Sequence, residues 1–182
     1  MNTETQIQLL QSAVTHSHAE LVILCDLSGS MSAHLNPSDP NSPTRRHVLR
    51  QCLLSLAHTL HAGARIYKFG GDVKPFDTFQ EQEFAGWDLA FGTDIEKALR
   101  VARKHNPARI ILITDGSPTE GTPEEIVATA QTIFARIDTY YCGSQSDERA
   151  TSLCRQLAQY GGECIIDPSG ANMLHDLTLL LC

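Results

Sequence analysis

The sequence predicts a doubly wound α/β domain: a mostly parallel six-stranded sheet with one antiparallel edge strand and helices on both faces. Three observations carry that expectation. Apolar runs of strand length alternate with segments of helical periodicity along almost all of the 182 residues. Two runs, Leu21 to Cys25 and Ile110 to Ile113, lack the polar alternation of a half-exposed strand, as expected where helices cover both faces of a parallel sheet. One short stretch, Val73-Lys74-Pro75-Phe76, follows a hairpin signal and contains a proline, which suits an edge strand.

The elements follow in order. Residues 1–18 form a polar N-terminal extension with apolar positions such as Ile7, Leu10 and Val14, and residues 19–182 form the domain. The first strand begins at Leu21 and runs into Asp26. Ser32 to Pro43, rich in Pro, Ser, Asn and Asp, reads as a loop closing on Ser42-Pro43, an N-cap followed by proline at the first helical position. Leu49, Cys52, Leu53, Leu56 and Leu60 then recur at helical spacing up to Gly63. Ala64 to Phe69 is a second strand, and Gly70-Gly71-Asp72 turns it into the edge strand. Residues 77–92 read as an irregular connection containing Trp87. A helix from near Thr93 carries Ile95, Ala98, Leu99 and Ala102, and Arg109 to Thr114 is the next buried strand. Thr122-Pro123-Glu124-Glu125 is a capping box opening a helix with Ile126, Ala130, Ile133 and Phe134 on its apolar side. A strand from Ile137 to Cys142, a helix from about Asp147 to Tyr160, a strand from Cys164 to Ile166 and a helix from about Ala171 to Leu181 complete the chain. Strand–helix alternation of this kind implies right-handed crossovers.

Composition removes several classes of function. A net charge of −7 argues against nucleic acid or an anionic membrane as partner, and no apolar stretch approaches a membrane span. Met1 to Gln6 lacks the basic and then apolar regions of a secretory signal, so a cytoplasmic protein is expected. Six cysteines show no C-x-x-C pairing and are expected as buried reduced thiols. His16 with His18, and His58 with His61, have spacings that suit a transition metal but lack nearby cysteine or acidic partners.

The chemistry concentrates in Asp26-Leu27-Ser28-Gly29-Ser30. Side chains two apart in extended backbone point the same way, so Asp26, Ser28 and Ser30 aim beyond the strand's carboxyl end. Open α/β sheets bind ligands at that edge. One carboxylate and two hydroxyls form a hard-oxygen site suited to Mg²⁺, Mn²⁺ or Ca²⁺. Phe91-Gly92-Thr93-Asp94 and Ile113-Thr114-Asp115-Gly116 fall at the same edge and add Thr93 and Asp115. Two carboxylates would neutralise a divalent cation, and an open coordination position would accept an anionic oxygen from outside. Each segment has a simpler reading. The first is a strand-end loop, Thr93-Asp94-Ile95-Glu96 is a capping box with Thr93 as cap, and Asp115-Gly116 is a turn. Their conjunction at ordered positions favours the cation site. Asp94 is expected to serve the helix N-terminus more than the outer shell of the metal, and Phe84, Trp87 and Phe91 to pack more than to form an exposed hot spot.

Asp26-Leu27-Ser28-Gly29-Ser30-Met31, Thr93 and Asp115-Gly116 resemble the metal-ion-dependent adhesion site (MIDAS) of von Willebrand factor A-type domains, over about residues 19–181. The resemblance implies a Rossmann-like fold. It implies Ser28 and Ser30 as direct metal ligands, and Thr93, Asp26 and Asp115 as ligands directly or through water. Mg²⁺ is the implied cation, with Mn²⁺ and Ca²⁺ as alternatives, and a partner's Asp or Glu carboxylate completes the coordination. The implied function is a non-catalytic, metal-dependent protein-binding module, a subunit or adaptor of an intracellular complex. Stand-alone prokaryotic members work alongside AAA+ ATPases or other enzymes, so such a multi-component system is the implied partner. The Ser32–Pro43 stretch is inserted where members often begin their first helix, and is either a partner-contact loop or a variable surface loop. The alternative function is a Mg²⁺-dependent phosphatase-like hydrolase with Asp26 as nucleophile. That chemistry wants a second carboxylate near Asp26, where position 28 is serine, and a lysine beside the site. No G-x-S-x-G, P-loop or dinucleotide fingerprint is present, and no enzyme is expected.

Overall fold

The computed structural model describes residues 21–76, 79–85, 91–158 and 161–181. Its strands are β1 (Leu21–Asp26), β2 (Ala64–Phe69), β3 (Val73–Pro75), β4 (Arg109–Thr114), β5 (Arg136–Tyr141) and β6 (Cys164–Ile166). Its helices are α1 (Arg45–Gly63), α2 (Glu81–Ala85), α3 (Ile95–Arg103), α4 (Pro123–Gln131), α5 (Glu148–Leu157) and α6 (Met173–Leu181). The six strands lie in the order β3-β2-β1-β4-β5-β6. Every neighbouring pair is parallel except β2 with β3, where Phe69 faces Val73 and Tyr67 faces Pro75. The chain winds outward from β1 to β2 and β3, then returns to the other side of β1 and winds outward through β4, β5 and β6. β1 and β4 therefore flank the switch in winding direction, where open sheets of this kind leave a crevice at the strands' carboxyl ends.

Burial follows the strand period. Ile23, Ile111 and Ile113 meet Leu53, Leu56 and Leu60 of α1 and Leu177 and Leu181 of α6 on one face. Val22, Leu24, Ile110 and Leu112 alternate to the opposite face, and all four are fully buried. There α3, α4 and α5 pack in succession, with Ile95, Ala98, Leu99 and Ala102 as the buried stripe of α3. Cys25, Cys52, Cys142 and Cys154 are buried free thiols, and Cys164 is a partly exposed one. Burial pushes the Cys52 thiol up to about 11 and that of Cys25 further still.

Several element boundaries differ from the sequence expectation. α1 begins at Arg45 with Thr44 as its N-cap, two residues beyond Ser42-Pro43. Ser42 and Pro43 are instead consumed by the loop: the Ser42 hydroxyl bridges Asn36, and the Pro43 carbonyl accepts the Leu35 N–H. The connection after β3 contains the short helix α2, whose Phe84 is buried against Phe76, whereas Trp87 lies outside the described residues. Phe134 is 96% exposed, because α4 ends at Gln131 and the helical period no longer reaches it. The N-terminal extension 1–18, His16, His18 and the side chains of His58 and His61 also lie outside the described residues. Among the described residues, no helix is long and apolar enough to cross a membrane.

Candidate functional site

The site is built where β1 stops. Asp26 is the last residue of β1, fully buried, and its carboxylate accepts two hydrogen bonds. Oδ1 takes the Ser28 N–H at 2.8 Å, and Oδ2 takes the Thr114 hydroxyl at 2.6 Å from the end of β4. Beyond Asp26 the chain makes a single 3-10 turn, Gly29–Ser32, which throws Ser28 and Ser30 to one side and Met31 to the other. Met31 is fully buried and lies 3.9 Å from the Cys142 sulfur, so an apolar plug anchors the turn. Ser28 Oγ and Ser30 Oγ are 3.0 Å apart. The Ser30 hydroxyl donates to Asp115 Oδ1 at 2.6 Å. Asp26, Ser28, Ser30 and Asp115 thus form one continuous cluster of oxygens across the β1–β4 switch.

Thr93 reaches the same edge by a different route. The Asp94 N–H bonds the Gly70 carbonyl at 2.8 Å, directly after the β2 residue that pairs with Asp26. Thr93 is buried, and its N–H and carbonyl are taken by the Thr119 hydroxyl and the Thr119 N–H. It does not cap α3. Asp94 does so, accepting the Lys97 N–H at 2.8 Å. The Thr93 hydroxyl makes no hydrogen bond among the described residues, including to the other four oxygen donors.

Two features escaped the sequence. Arg45, the first residue of α1, donates from Nη1 to Asp115 Oδ2 at 2.7 Å and to the Ser30 carbonyl at 3.3 Å. Its position opposes the helix dipole, since a cation in the first turn of a helix is disfavoured, and that misplaced charge was the signal available in the sequence. Its neighbour Arg46 donates to the carbonyls of Leu27 and Ser28 and to that of Phe84, tying the end of β1 to α2. The second feature is Gly143, just after β5: a Cβ there would stand 1.9 Å from the Asp115 carbonyl oxygen, so only glycine lets the two loops meet.

The loop between the 3-10 turn and α1 folds on itself beside the site. His34 pairs antiparallel with Thr44, the Arg45 N–H bonds the Ala33 carbonyl, and Leu35 rests over Gly170. Phe91, two residues before Thr93, is 90% exposed, unlike Phe84.

The electrostatics set Asp26 apart. Burial, and then the nearby Asp115 carboxylate, push its carboxyl up to about 6 against the hydrogen bonding from Thr114 and Ser28 that pulls it down. Among the described residues no basic side chain pairs with it. A fully buried carboxylate without a cationic partner is costly. Beside it stand a second carboxylate and two adjacent hydroxyls, and the buried Thr93, its hydroxyl unengaged among the described residues, lies at the same sheet edge. That donor set fits a hard divalent cation: two charges to neutralise it and neutral oxygens to fill its shell. Among the described residues, no three His, Cys, Asp or Glu side chains cluster as a metal site, so hydroxyls would supply the remaining ligands here.

No family model matches the sequence, and no curated protein does. Solved structures do match. A von Willebrand factor type A protein from Catenulispora acidiphila superposes with a TM-score of 0.65 at 20% identity, over 88% of this chain and 41% of that chain. The VWA domain of SpRpn10 gives 0.60 at 14% identity, over 87% and 93%. Proximal thread matrix protein 1 of the mussel byssus, solved with zinc in its MIDAS motif, gives 0.60 at 16% identity, over 90% and 47%.

Proposed function

We propose that this chain, which has the von Willebrand factor A fold, is a non-catalytic, divalent-metal-dependent protein-binding module. The observation that carries the reading is Asp26, a fully buried carboxylate with no basic partner among the described residues, facing a second carboxylate and two hydroxyls 3.0 Å apart. Ser28 and Ser30 would hold the cation directly, with Asp26, Asp115 and Thr93 contributing directly or through water. Mg²⁺ fits this oxygen set, as do Mn²⁺ and Ca²⁺. When bound, the cation supplies an electrophilic anchor for one anionic oxygen from outside, here a partner's Asp or Glu carboxylate. The protein's own residues do the rest: they fix the serines on a plugged turn, hold Asp115 by Ser30 and Arg45, and present the site at an open edge.

The alternative, a Mg²⁺-dependent phosphatase-like hydrolase, needs Asp26 as an accessible nucleophile. Asp26 is fully buried with both oxygens hydrogen-bonded, which opposes attack on a substrate phosphorus. The zinc-occupied MIDAS of the mussel protein supports cation binding by this fold. The self-bonded 33–44 loop and the exposed Phe91 flank the site and are suited to partner contact. A partner in a multi-component system, such as an AAA+ ATPase or another enzyme, and a cytoplasmic location consistent with the buried free thiols, belong to the same proposal.

Capture of partners on the immobilised chain in Mg²⁺ and in EDTA tests it. Proteins retained only with Mg²⁺, and lost with the Ser28→Ala, Ser30→Ala double variant, are the expected result. Partners indifferent to both would refute metal-mediated docking. Phosphatase turnover abolished by Asp26→Ala would favour the alternative.

A further inference from the structure

We infer that Arg45 is a tethered counter-cation of the metal site, which balances Asp115 when no divalent ion is bound and sets how tightly the ion is held. The inference rests on the proposed cation site and adds a residue outside its oxygen donor set. Arg45 Nη1 lies 2.7 Å from Asp115 Oδ2, while the other Asp115 oxygen is taken by Ser30. The guanidinium is mostly buried, with 16% of its side chain exposed against none for Asp115. Its Nε is buried without a hydrogen-bond partner, so packing alone does not account for its placement. It also sits at the first position of a 19-residue helix whose opening turn carries no acidic residue, where the helix dipole repels it. The Asp115 carboxylate, with a longer bond to the Ser30 carbonyl, compensates those costs.

The charge count gives the consequence. Asp26 and Asp115 would cancel a divalent ion, and Arg45 then leaves the filled site with a net positive charge. Arg45 therefore weakens the hold on the cation by like-charge repulsion, and leaves the filled site attractive to an acidic ligand. Cation and carboxylate then bind better together than either does alone.

The test is calorimetric titration of Mn²⁺ into the wild-type chain and into Arg45→Gln, Arg45→Lys and Arg100→Gln. Arg100 lies on the exposed side of α3, paired with Glu96, and controls for loss of one positive charge. Removing a partly buried like charge should tighten Mn²⁺ binding about tenfold in Arg45→Gln. Arg45→Lys and Arg100→Gln should stay within about twofold of wild type, since each keeps a positive charge beside Asp115. In EDTA, Arg45→Gln should also melt below wild type, and saturating Mn²⁺ should close the gap. A merely structural Arg45 would give weaker Mn²⁺ binding on removal, and that result, or unchanged affinity, overturns the inference while leaving the metal site standing. An Arg45→Gln chain that is unfolded in EDTA and not restored by Mn²⁺ overturns it as well. Absence of Mn²⁺ binding to every form overturns the metal site and the inference together.

Discussion

Replacing Asp26 by Asn isolates the cost of burying this carboxylate. Burial and the neighbouring Asp115 raise its carboxyl from 3.8 to about 6. The folded chain thus holds this proton more tightly than the unfolded chain. The stabilisation it gives is complete below the unfolded value and is lost as pH rises through about 6. Roughly two units at 1.36 kcal/mol each make that loss about 3 kcal/mol. For a chain of this size it corresponds to about 6–12 °C in Tm. Asn removes the titration while keeping both hydrogen bonds, because its carbonyl can accept the Ser28 N–H and its amide can donate to the Thr114 hydroxyl. In EDTA, Asp26→Asn should match wild type near pH 4 and become the more stable protein towards pH 7.5, with the difference flat above that. Saturating Mg²⁺ should raise the wild-type Tm and leave the variant where it was. Thermal unfolding of both chains between pH 4 and 8, with EDTA and with Mg²⁺, checks each arm. A difference independent of pH, or a variant less stable than wild type at pH 7.5 in EDTA, would refute the reasoning.

Other perturbations reach the site through its scaffold. Gly143→Ala places a methyl 1.9 Å from the Asp115 carbonyl oxygen, so we expect about 1–3 kcal/mol of destabilisation and a clear loss of Mn²⁺ affinity by calorimetry. Met31→Ala empties the plug under the 3-10 turn and should cost about 2–5 kcal/mol in urea unfolding, with weaker cation binding because Ser28 and Ser30 lose their anchor. Glu125→Ala removes half of the α4 capping box and should cost about 1 kcal/mol with Mn²⁺ affinity unchanged, separating stability from site geometry.

What the sequence disclosed tracks the range of the forces involved. β1 and β4 were legible because a strand buried on both faces of a parallel sheet must be apolar along its length, and the half-buried edge strand β6 because turn residues bound its short apolar run. The Thr122–Glu125 capping box was legible because its bonds are local. Asp26, Ser28 and Ser30 share one strand end, and their juxtaposition followed from the period of extended chain. The start of α1 was misread because Ser42-Pro43 is as good a local cap as Thr44, and only the long-range pairing of His34 with Thr44 decides between them. Thr93 has two readings in the sequence, a metal ligand and the helix cap, and the structure gives the cap to Asp94, whose carboxylate takes the Lys97 N–H. Arg45 and Gly143 escaped because their meaning lies wholly in a contact with Asp115, 70 residues away for the arginine. No local pattern encodes that meeting.

The central claim is that these five residues, Asp26, Ser28, Ser30, Thr93 and Asp115, hold one divalent cation. Calorimetric titration of Mg²⁺ and Mn²⁺ into the chelator-stripped chain tests it most directly, with the Ser28→Ala, Ser30→Ala double variant alongside. One bound ion per wild-type chain, lost in a double variant that remains folded, is the expected result. No bound ion in wild type, or equal binding by the double variant, would contradict it.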